Sequence, residues 1–263
     1  MSSRRPSRDA PQPPIALLLA LVGALAACTP DDGTSGAPVP PSASVSSAPA
    51  TAPVPVPAPS VTPVEEVVRS GGVGLVVTSV GPAEVTADDD ATRFTVGAGP
   101  RSPVSLAVDT GSLVVNADGT VTVHDDDGTP VAALTTPSGG ARLTAADGGA
   151  VRLDADEPVT STMILGSRAV EATSWGDREG GRSLAVTPTD WARTAGVAGE
   201  ELVWTELVAA DPDVGSTTMR DQLTCHVLGA PDKETWNLEP WRPDVGLMAV
   251  LAARCNPTDD GAA

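Results

Sequence analysis

Between residues 65 and 160 the chain alternates short apolar and polar runs, and Asp-Gly pairs separate several of them. The clearest series is Leu113–Val115, Asp118-Gly119, Thr120–Val123, Asp127-Gly128 and Val131–Leu134. Alternation with a period of two is typical of strands that bury one face. An Asp-Gly pair between such strands predicts a hairpin in which both turn residues have positive φ.

Four further strands are expected in this region, at Val73–Val80, Arg93–Val96, Val104–Val108 and Val151–Leu153. Phe94 is its one aromatic residue, so its core is expected to be thin and aliphatic. We therefore expect residues 65–160 to form a small all-β region, either a sandwich or a meander.

Residues 161–257 show a different pattern and hold all five tryptophans of the chain. A hairpin is expected from Arg168–Ser174 to Ser183–Val186. Cap residues, glycines and prolines then predict four short helices: Thr187-Pro188 to Gly196, Glu200–Ala209, Met219–Leu228 and Pro243-Asp244 to about Arg254. The combination predicts a compact α+β domain, followed by a flexible tail at residues 258–263.

The N-terminus combines three arginines with an uninterrupted apolar run, Ile15–Ala27. This run is shorter than the roughly 20 apolar residues that cross a bilayer, and it suits the core of a signal peptide. It ends in Leu25-Ala26-Ala27-Cys28, which resembles the lipobox of bacterial lipoproteins. Residues 1–27 are thus predicted to be a signal peptide, and the resemblance implies that lipid on Cys28 anchors the exported chain to the outer face of the cell membrane. The alternative is an ordinary secretory signal followed by a chance cysteine.

Residues 28–64 consist, after the cysteine, almost wholly of Pro, Ala, Ser, Thr, Val and Gly. Such a segment buries too little apolar surface to offset its ordering entropy, and proline keeps it extended. We expect a disordered stalk that holds the folded part away from the membrane.

The chain carries 34 acidic and 16 basic residues, a formal net charge of −18. Such a charge repels nucleic acid, which is not expected as a partner. The sequence contains no phosphate-loop, dinucleotide or zinc motif, and we expect no cofactor or metal. The runs Asp88–Asp90 and Asp125–Asp127 hold calcium-type ligands without the regular spacing of a calcium loop, and we interpret them as solvated turns.

The three cysteines suit an exported protein. If lipid occupies Cys28, Cys225 and Cys255 remain as a pair, and an oxidising compartment favours a disulfide between them. Closing a loop of this length stabilises a fold by about 3–4 kcal/mol. The alternative is a free reactive thiol at Cys225 beside His226, but neighbouring side chains usually point apart.

Four stretches of the second region carry a resemblance: Trp204-Thr205-Glu206, Met219–His226 (MRDQLTCH), Lys233–Pro243 (KETWNLEPWRP) and Cys255-Asn256-Pro257. Together they resemble a C-terminal domain of unknown function found in exported actinobacterial proteins. The resemblance covers about residues 165–257. It supports the domain boundary and the disulfide, and it implies no catalytic residues.

His226 is the one histidine of the second region, and an imidazole there can act as a general base or bind a metal. The candidate catalytic set is His226 with Glu239 or Glu206. No neighbouring cluster of histidines and cysteines supplies further metal ligands. We favour a structural histidine that is hydrogen-bonded to a carboxylate or a carbonyl.

The segment 236–243 is expected to be an ordered loop, because its two prolines prevent a helix. Its candidate ligand-binding residues are Trp236, Asn237, Glu239, Trp241 and Arg242. Exposed indole rings stack on sugars or peptides, and the charged pair fixes polar groups. In the alternative, which we favour, both rings fill the core and Glu239 pairs with Arg242.

Three functional hypotheses follow. The leading one is a non-enzymatic envelope lipoprotein that binds a cell-wall component or an exported protein. The second is an extracytoplasmic cell-wall hydrolase that uses His226 and a carboxylate. The third is a structural partner of another envelope protein.

Overall fold

The structure is a computed structural model that describes residues 62–87 and 90–258. The predicted signal peptide, Cys28, the stalk up to residue 61, Asp88-Asp89 and residues 259–263 lie outside the described residues. Within the described ranges, no helix is long and apolar enough to cross a membrane.

The first part of the fold is built from two antiparallel sheets. Its strands are β1 Val64–Ser70, β2 Val73–Ser79, β3 Glu84–Ala87, β4 Ala91–Ala98, β5 Val104–Val108, β6 Ser112–Val115, β7 Val121–His124, β8 Pro130–Leu134, β9 Arg142–Ala145, β10 Val151–Asp154 and β11 Val159–Gly166. One sheet has the order β1-β2-β5-β10-β9 and the other has the order β3-β4-β11-β8-β7-β6. The strands predicted from alternation are confirmed, and β1, β3, β9 and β11 are additional.

A single aliphatic core joins the two sheets into a sandwich. Strand β4 shows the pattern that builds it: Thr92, Phe94, Val96 and Ala98 are buried, while Arg93 faces solvent. Valines and leucines from both sheets pack around Phe94 in one cluster. The core is therefore thin and aliphatic, as the scarcity of aromatic residues predicts.

The Asp-Gly turns are longer than the sequence analysis expected. The N–H of Gly119 donates to the carbonyl of Asn116 at 3.0 Å, and Gly128 repeats this contact with Asp125. Gly119 and Gly128 have φ of 84° and 81°, whereas neither aspartate has positive φ. The prediction of positive φ at both turn residues is wrong, because each loop is a type I turn followed by a left-handed glycine.

The second part combines a three-stranded antiparallel sheet with helices. Its elements are β12 Val170–Arg178, β13 Gly181–Pro188, α1 Gly196–Ala210, α2 Thr217–Gly229, β14 Trp236–Leu238 and α3 Leu247–Ala252. The sheet has the order β12-β13-β14. The hairpin between β12 and β13 confirms the prediction, and its loop is the residue pair Glu179-Gly180, with φ of 50° and 91°.

The helices agree with the predictions in part. Helix α2 is confirmed, and the Ser216 side chain accepts the N–H of Met219 at its N-cap. The helix expected from Pro188 to Gly196 is wrong, because β13 runs through Pro188 and the next N–H, of Thr189, still donates across to Ala169. Helix α1 begins at Gly196, before the predicted start. Helix α3 is shorter than predicted. It begins only at Leu247, because the preceding residue, Gly246, has a φ of 78°, which is not a helical angle.

The two parts pack into one compact unit. The boundary expected between residues 160 and 161 falls inside β11, which pairs with β4 from Val159 to Gly166, so the β region extends to Gly166. Helix α1 lies against β8 and β7 of the sandwich, and Ala133 of β8 belongs to the core of the second part.

The β region also caps the first turn of α1. No side chain at Ala195 caps this helix. Instead, Asp118 accepts the N–H of Val197 at 2.8 Å, and the Thr120 hydroxyl accepts the N–H of Ala198 at 3.2 Å. Unpaired N–H groups at a helix start need such acceptors. The sandwich therefore supplies what the local sequence of α1 lacks.

Candidate binding site

Three of the four motifs that carry the family resemblance, at 219–226, 233–243 and 255–257, meet at one place in the fold. Cys225 of α2 and Cys255 form a disulfide of 2.05 Å, which confirms the predicted pair. Gln222 of α2 makes two hydrogen bonds to the backbone of Glu239: its amide donates to the Glu239 carbonyl at 2.9 Å, and its carbonyl accepts the Glu239 N–H at 3.0 Å. We call the group formed by Gln222, Cys225, His226, Trp236, Glu239, Arg242 and Cys255 the signature cluster.

His226 is a buried member of the signature cluster, with 4% of its surface exposed. Its Nε2 lies 3.1 Å from the carbonyl oxygen of Asn237 in β14, and its ring stacks on Trp236 with a centroid separation of 6.5 Å. Nδ1 is buried and has no hydrogen-bond partner among the described residues. Burial lowers the pKa of His226 to about 4, and the bond to Asn237 opposes this only in part. The imidazole is therefore neutral and donates Nε2–H to the carbonyl.

Glu239 and Arg242 form an ion pair inside the protein, with 2% and 3% of their surfaces exposed. The Nε of Arg242 donates to the Glu239 carboxylate. Three of its other four N–H groups donate to the carbonyl of Pro257 at 3.1 Å, the Asn256 side chain at 3.2 Å and Glu179 at 2.7 Å. A buried guanidinium is tolerated only when it is extensively paired, and here four of its five N–H groups donate. Arg242 thus ties the hairpin loop and the C-terminal segment to β14.

The two tryptophans of this segment differ in exposure. Trp236 is fully buried in strand β14, so the expectation of a loop there is wrong. Trp241 is 42% exposed, but a Cβ at Gly181 would lie within 2.5 Å of its ring, and the Arg242 guanidinium lies 4.6 Å from the ring centroid. The favoured prediction that both rings fill the core is therefore confirmed for Trp236 and wrong for Trp241, whose ring is only partly covered.

Glu206 lies apart from the signature cluster, on α1. Its two carboxylate oxygens accept the N–H groups of Ala169 and Val170 at 2.7 and 2.9 Å. Burial raises the pKa of Glu206, while these two donors oppose the increase. The side chain therefore holds the start of β12 against α1.

The structure thus brings His226, Glu239, Trp236 and Arg242 together but turns their reactive groups inward. His226 bonds to a backbone carbonyl and Glu239 bonds to Arg242, so the two do not form a free acid–base pair at a surface. No group of three or more His, Cys, Asp or Glu that could hold a metal occurs among the described residues. In the acidic run 125–127, Asp125 stabilises the turn, since its side chain accepts the N–H groups of Asp127 and Thr129.

The most open element near this cluster is strand β12, which the sequence analysis did not single out. It lies at the edge of the three-stranded sheet, and among the described strands only β13 pairs with it. Its residues are exposed except for Val170 and Trp175, which are half-buried. The sequence predicted this strand as part of a hairpin but not as a candidate site, because its exposure on both faces and its open edge depend on the folded sheet.

The hairpin register fixes which backbone groups of β12 face outward. Arg178 and Gly181 flank a two-residue loop and form its closing hydrogen-bonded pair. Bonded and non-bonded pairs alternate along an antiparallel ladder. Thr173, Trp175 and Asp177 therefore direct their N–H and C=O groups away from β13, towards the open side.

The side chains along β12 leave this edge accessible. The Trp175 indole donates to Asp211 at 2.9 Å and lies beneath the Arg182 guanidinium, 4.1 Å from the ring centroid. Glu171 occupies an irregularity in the register beside Val170 and lines a cleft of about 540 Å³. Proteins usually protect edge strands with proline, inward charges or covering loops. The stretch 172–174 of β12 has no proline or charge.

Residues 170–258 match the family described as "Protein of unknown function (DUF2599)". An uncharacterized protein of Mycobacterium bovis is 39% identical over 98 residues, which cover 34% of this chain and 66% of that protein, and an uncharacterized protein of Mycobacterium tuberculosis matches equally. An uncharacterized protein of Mycobacterium leprae is 33% identical over 81 residues, covering 29% of this chain and 60% of that protein.

The chain thus spans slightly less than two thirds of the length of these relatives. Its C-terminal part is a domain of unknown function that is also present in actinobacteria, in agreement with the resemblance of its motifs. No solved structure matches the chain.

Proposed function

We propose that this protein is an exported, lipid-anchored envelope protein that binds another exported protein and catalyses no reaction itself. In this proposal the partner adds an extended segment to the open edge of β12. The observation that carries the proposal is the outward row of N–H and C=O groups at Thr173, Trp175 and Asp177, with which no described strand pairs.

Strand addition suits the chemistry of this edge. The outward backbone groups supply hydrogen bonds to any extended chain, and alternate side chains supply selectivity. The exposed residues Ala172, Thr173 and Ser174 are small, so a partner strand can approach the β12 backbone closely. The sheet behind β12 is held by the signature cluster, which gives the edge a fixed position.

The proposed location rests on the sequence. The apolar run before Cys28 and the Pro-rich stretch after it are the features of a lipid anchor and a stalk. The disulfide between Cys225 and Cys255 suits an oxidising compartment. A stalk would carry the open edge away from the membrane to meet partners in the envelope.

The test uses a photo-crosslinking amino acid at Ser174 in the full chain, expressed in its own cell. We expect one protein adduct, which disappears with Thr173→Pro because proline removes the outward N–H. Thr173→Ala is the matched control: it removes the side chain but keeps the N–H, so the adduct persists. Denaturant unfolding of both variants verifies that the fold is intact.

Two results would refute the proposal. An adduct that is equally strong in Thr173→Pro and Thr173→Ala would show that backbone pairing is not involved. An adduct to cell-wall polymer instead of protein would assign this surface to the other class of partner.

A further inference from the structure

A cleft of about 710 Å³ lies at one end of the sandwich, where loops from both sheets meet. The ends of β1, β5, β7 and β11 and the beginnings of β2 and β8 converge there. We call it the loop-end cleft. Its polar lining residues are Arg69, Asp109, Thr110, His124, Asp125, Ser167 and Arg168. A cleft of this volume is large enough for a small-molecule or peptide ligand.

Tight backbone approaches fix the walls of the loop-end cleft. Gly111 has a φ of 82°, and a Cβ there would lie 1.9 Å from the carbonyl oxygen of His124. At Gly71, with a φ of 51°, a Cβ would lie 2.6 Å from the Ser167 hydroxyl. Only glycine permits both the backbone angle and the close contact. The loops therefore meet in a defined arrangement before any ligand arrives.

The charges of the loop-end cleft are balanced, although the chain as a whole is strongly acidic. Arg69 and Asp109 form no ion pair with any described residue, whereas Arg168 pairs with Asp90. Asp125 uses one oxygen to accept two N–H groups of its own turn. One cation and one anion thus remain available at the rim.

His124 adds a third polar group to this surface. Its Nδ1 is buried and has no hydrogen-bond partner among the described residues. Buried polar atoms of native proteins are nearly always paired with protein, water or ligand. His124 lines the loop-end cleft, so a ligand bound there would lie beside this residue.

We infer that the loop-end cleft binds a short peptide with free termini, with its carboxylate on Arg69 and its ammonium group on Asp109. Arginine recognises carboxylates by paired N–H groups, and an aspartate is the matching acceptor for an ammonium group. This site is independent of the β12 edge, because it lies in the sandwich and uses none of residues 170–258.

The rest of the lining favours a peptide over a sugar or nucleotide. The described lining residues include no Phe, Tyr or Trp ring on which a sugar or base stacks. They include Val73, Val108 and Val131 and the glycines at 71, 72 and 74, which suit small apolar side chains and leave backbone groups accessible.

Calorimetric titration of the full-length protein with trialanine tests the inference. We expect saturable binding, and Arg69→Gln is expected to weaken it by at least about tenfold, because a charge-assisted hydrogen bond is lost. Asp109→Asn is expected to weaken binding similarly. Arg101→Gln is the matched control, since this exposed arginine lies in the β4–β5 loop at the other end of the sandwich.

A chemically blocked probe separates recognition of the termini from general adhesion. N-acetyl-trialanine amide has the same side chains without either charge, and we expect its binding to be at least about tenfold weaker. Equal affinity of the blocked and free peptides would overturn the inference. So would absence of trialanine binding at millimolar concentration, or equal losses in Arg69→Gln and Arg101→Gln.

Discussion

Replacing His226 with glutamine is expected to flatten the acid side of the stability profile. In the native protein the neutral imidazole donates to Asn237 and stacks on Trp236, with almost no exposure to water. A glutamine amide can donate to the same carbonyl and does not titrate. The variant therefore removes one titration while it keeps one hydrogen bond.

The size of the effect follows from the pKa of His226. Burial lowers this pKa from 6.5 to about 4 in the folded protein. The unfolded chain binds the proton more readily, so the stabilising contribution is complete above pH 6.5 and is lost as the pH falls towards 4. The loss amounts to about 3 kcal/mol, since each pKa unit corresponds to about 1.4 kcal/mol.

Urea unfolding at a series of pH values measures this contribution, with the disulfide kept intact. The quantity to compare is the free energy of unfolding of the native protein minus that of His226→Gln. We expect the difference to fall by about 3 kcal/mol between about pH 7.5 and about pH 4. Titrating carboxylates act on both proteins and largely cancel. Parallel profiles would refute the reasoning, because the imidazole would then titrate alike in the folded and unfolded states.

Three further perturbations test the packing. Asp118→Ala removes a cap from α1 and is expected to lower the free energy of unfolding by about 1 kcal/mol. Asp127→Ala, at the matching position of the next turn, is the control and is expected to have a smaller effect. Equal losses of the two variants in urea unfolding would contradict the capping. Reducing the Cys225–Cys255 disulfide is expected to lower the free energy of unfolding by about 3–4 kcal/mol; an unchanged urea midpoint after reductant would exclude this. Arg242→Met leaves a buried carboxylate without its cation and is expected to cost about 3–5 kcal/mol. A free energy of unfolding that is unchanged in Arg242→Met would argue against the ion pair.

Local patterns predicted much of the fold. Alternation and turn residues were sufficient for β5, β7 and β8, and the cap at Ser216 was sufficient for α2. Strand β14 was missed because it follows a helix and precedes prolines, and only its pairing with β13 makes it a strand. Strand β11 was missed because Ser161 takes an inward position and Met163–Leu165 form a continuous apolar run, so apolar and polar residues do not alternate regularly along it.

The candidate site was predictable as a set of residues but not as an arrangement. The sequence identified His226, Glu239 and Arg242, and it left open whether they face a ligand or each other. That question depends on partners distant in sequence, such as the Asn237 carbonyl and the Pro257 carbonyl. Backbone acceptors of this kind leave no trace in residue identity. The open edge of β12 could not be predicted from the sequence either, because whether a strand lies at an edge depends on the order of strands in the sheet.

The cap that the sandwich supplies to α1 has a consequence for moving the C-terminal domain into another protein. The stretch that matches the family begins at residue 170, yet the acceptors for the first turn of α1 come from Asp118 and Thr120. A gene fusion that moved only residues 170–258 would carry a helix with bare donors at its start and an uncovered face where β8 lay. Any recipient protein would have to provide a new neighbour for that helix. In this chain, the part that matches the family therefore depends on the sandwich for the caps at the start of α1 and for cover on one face of that helix.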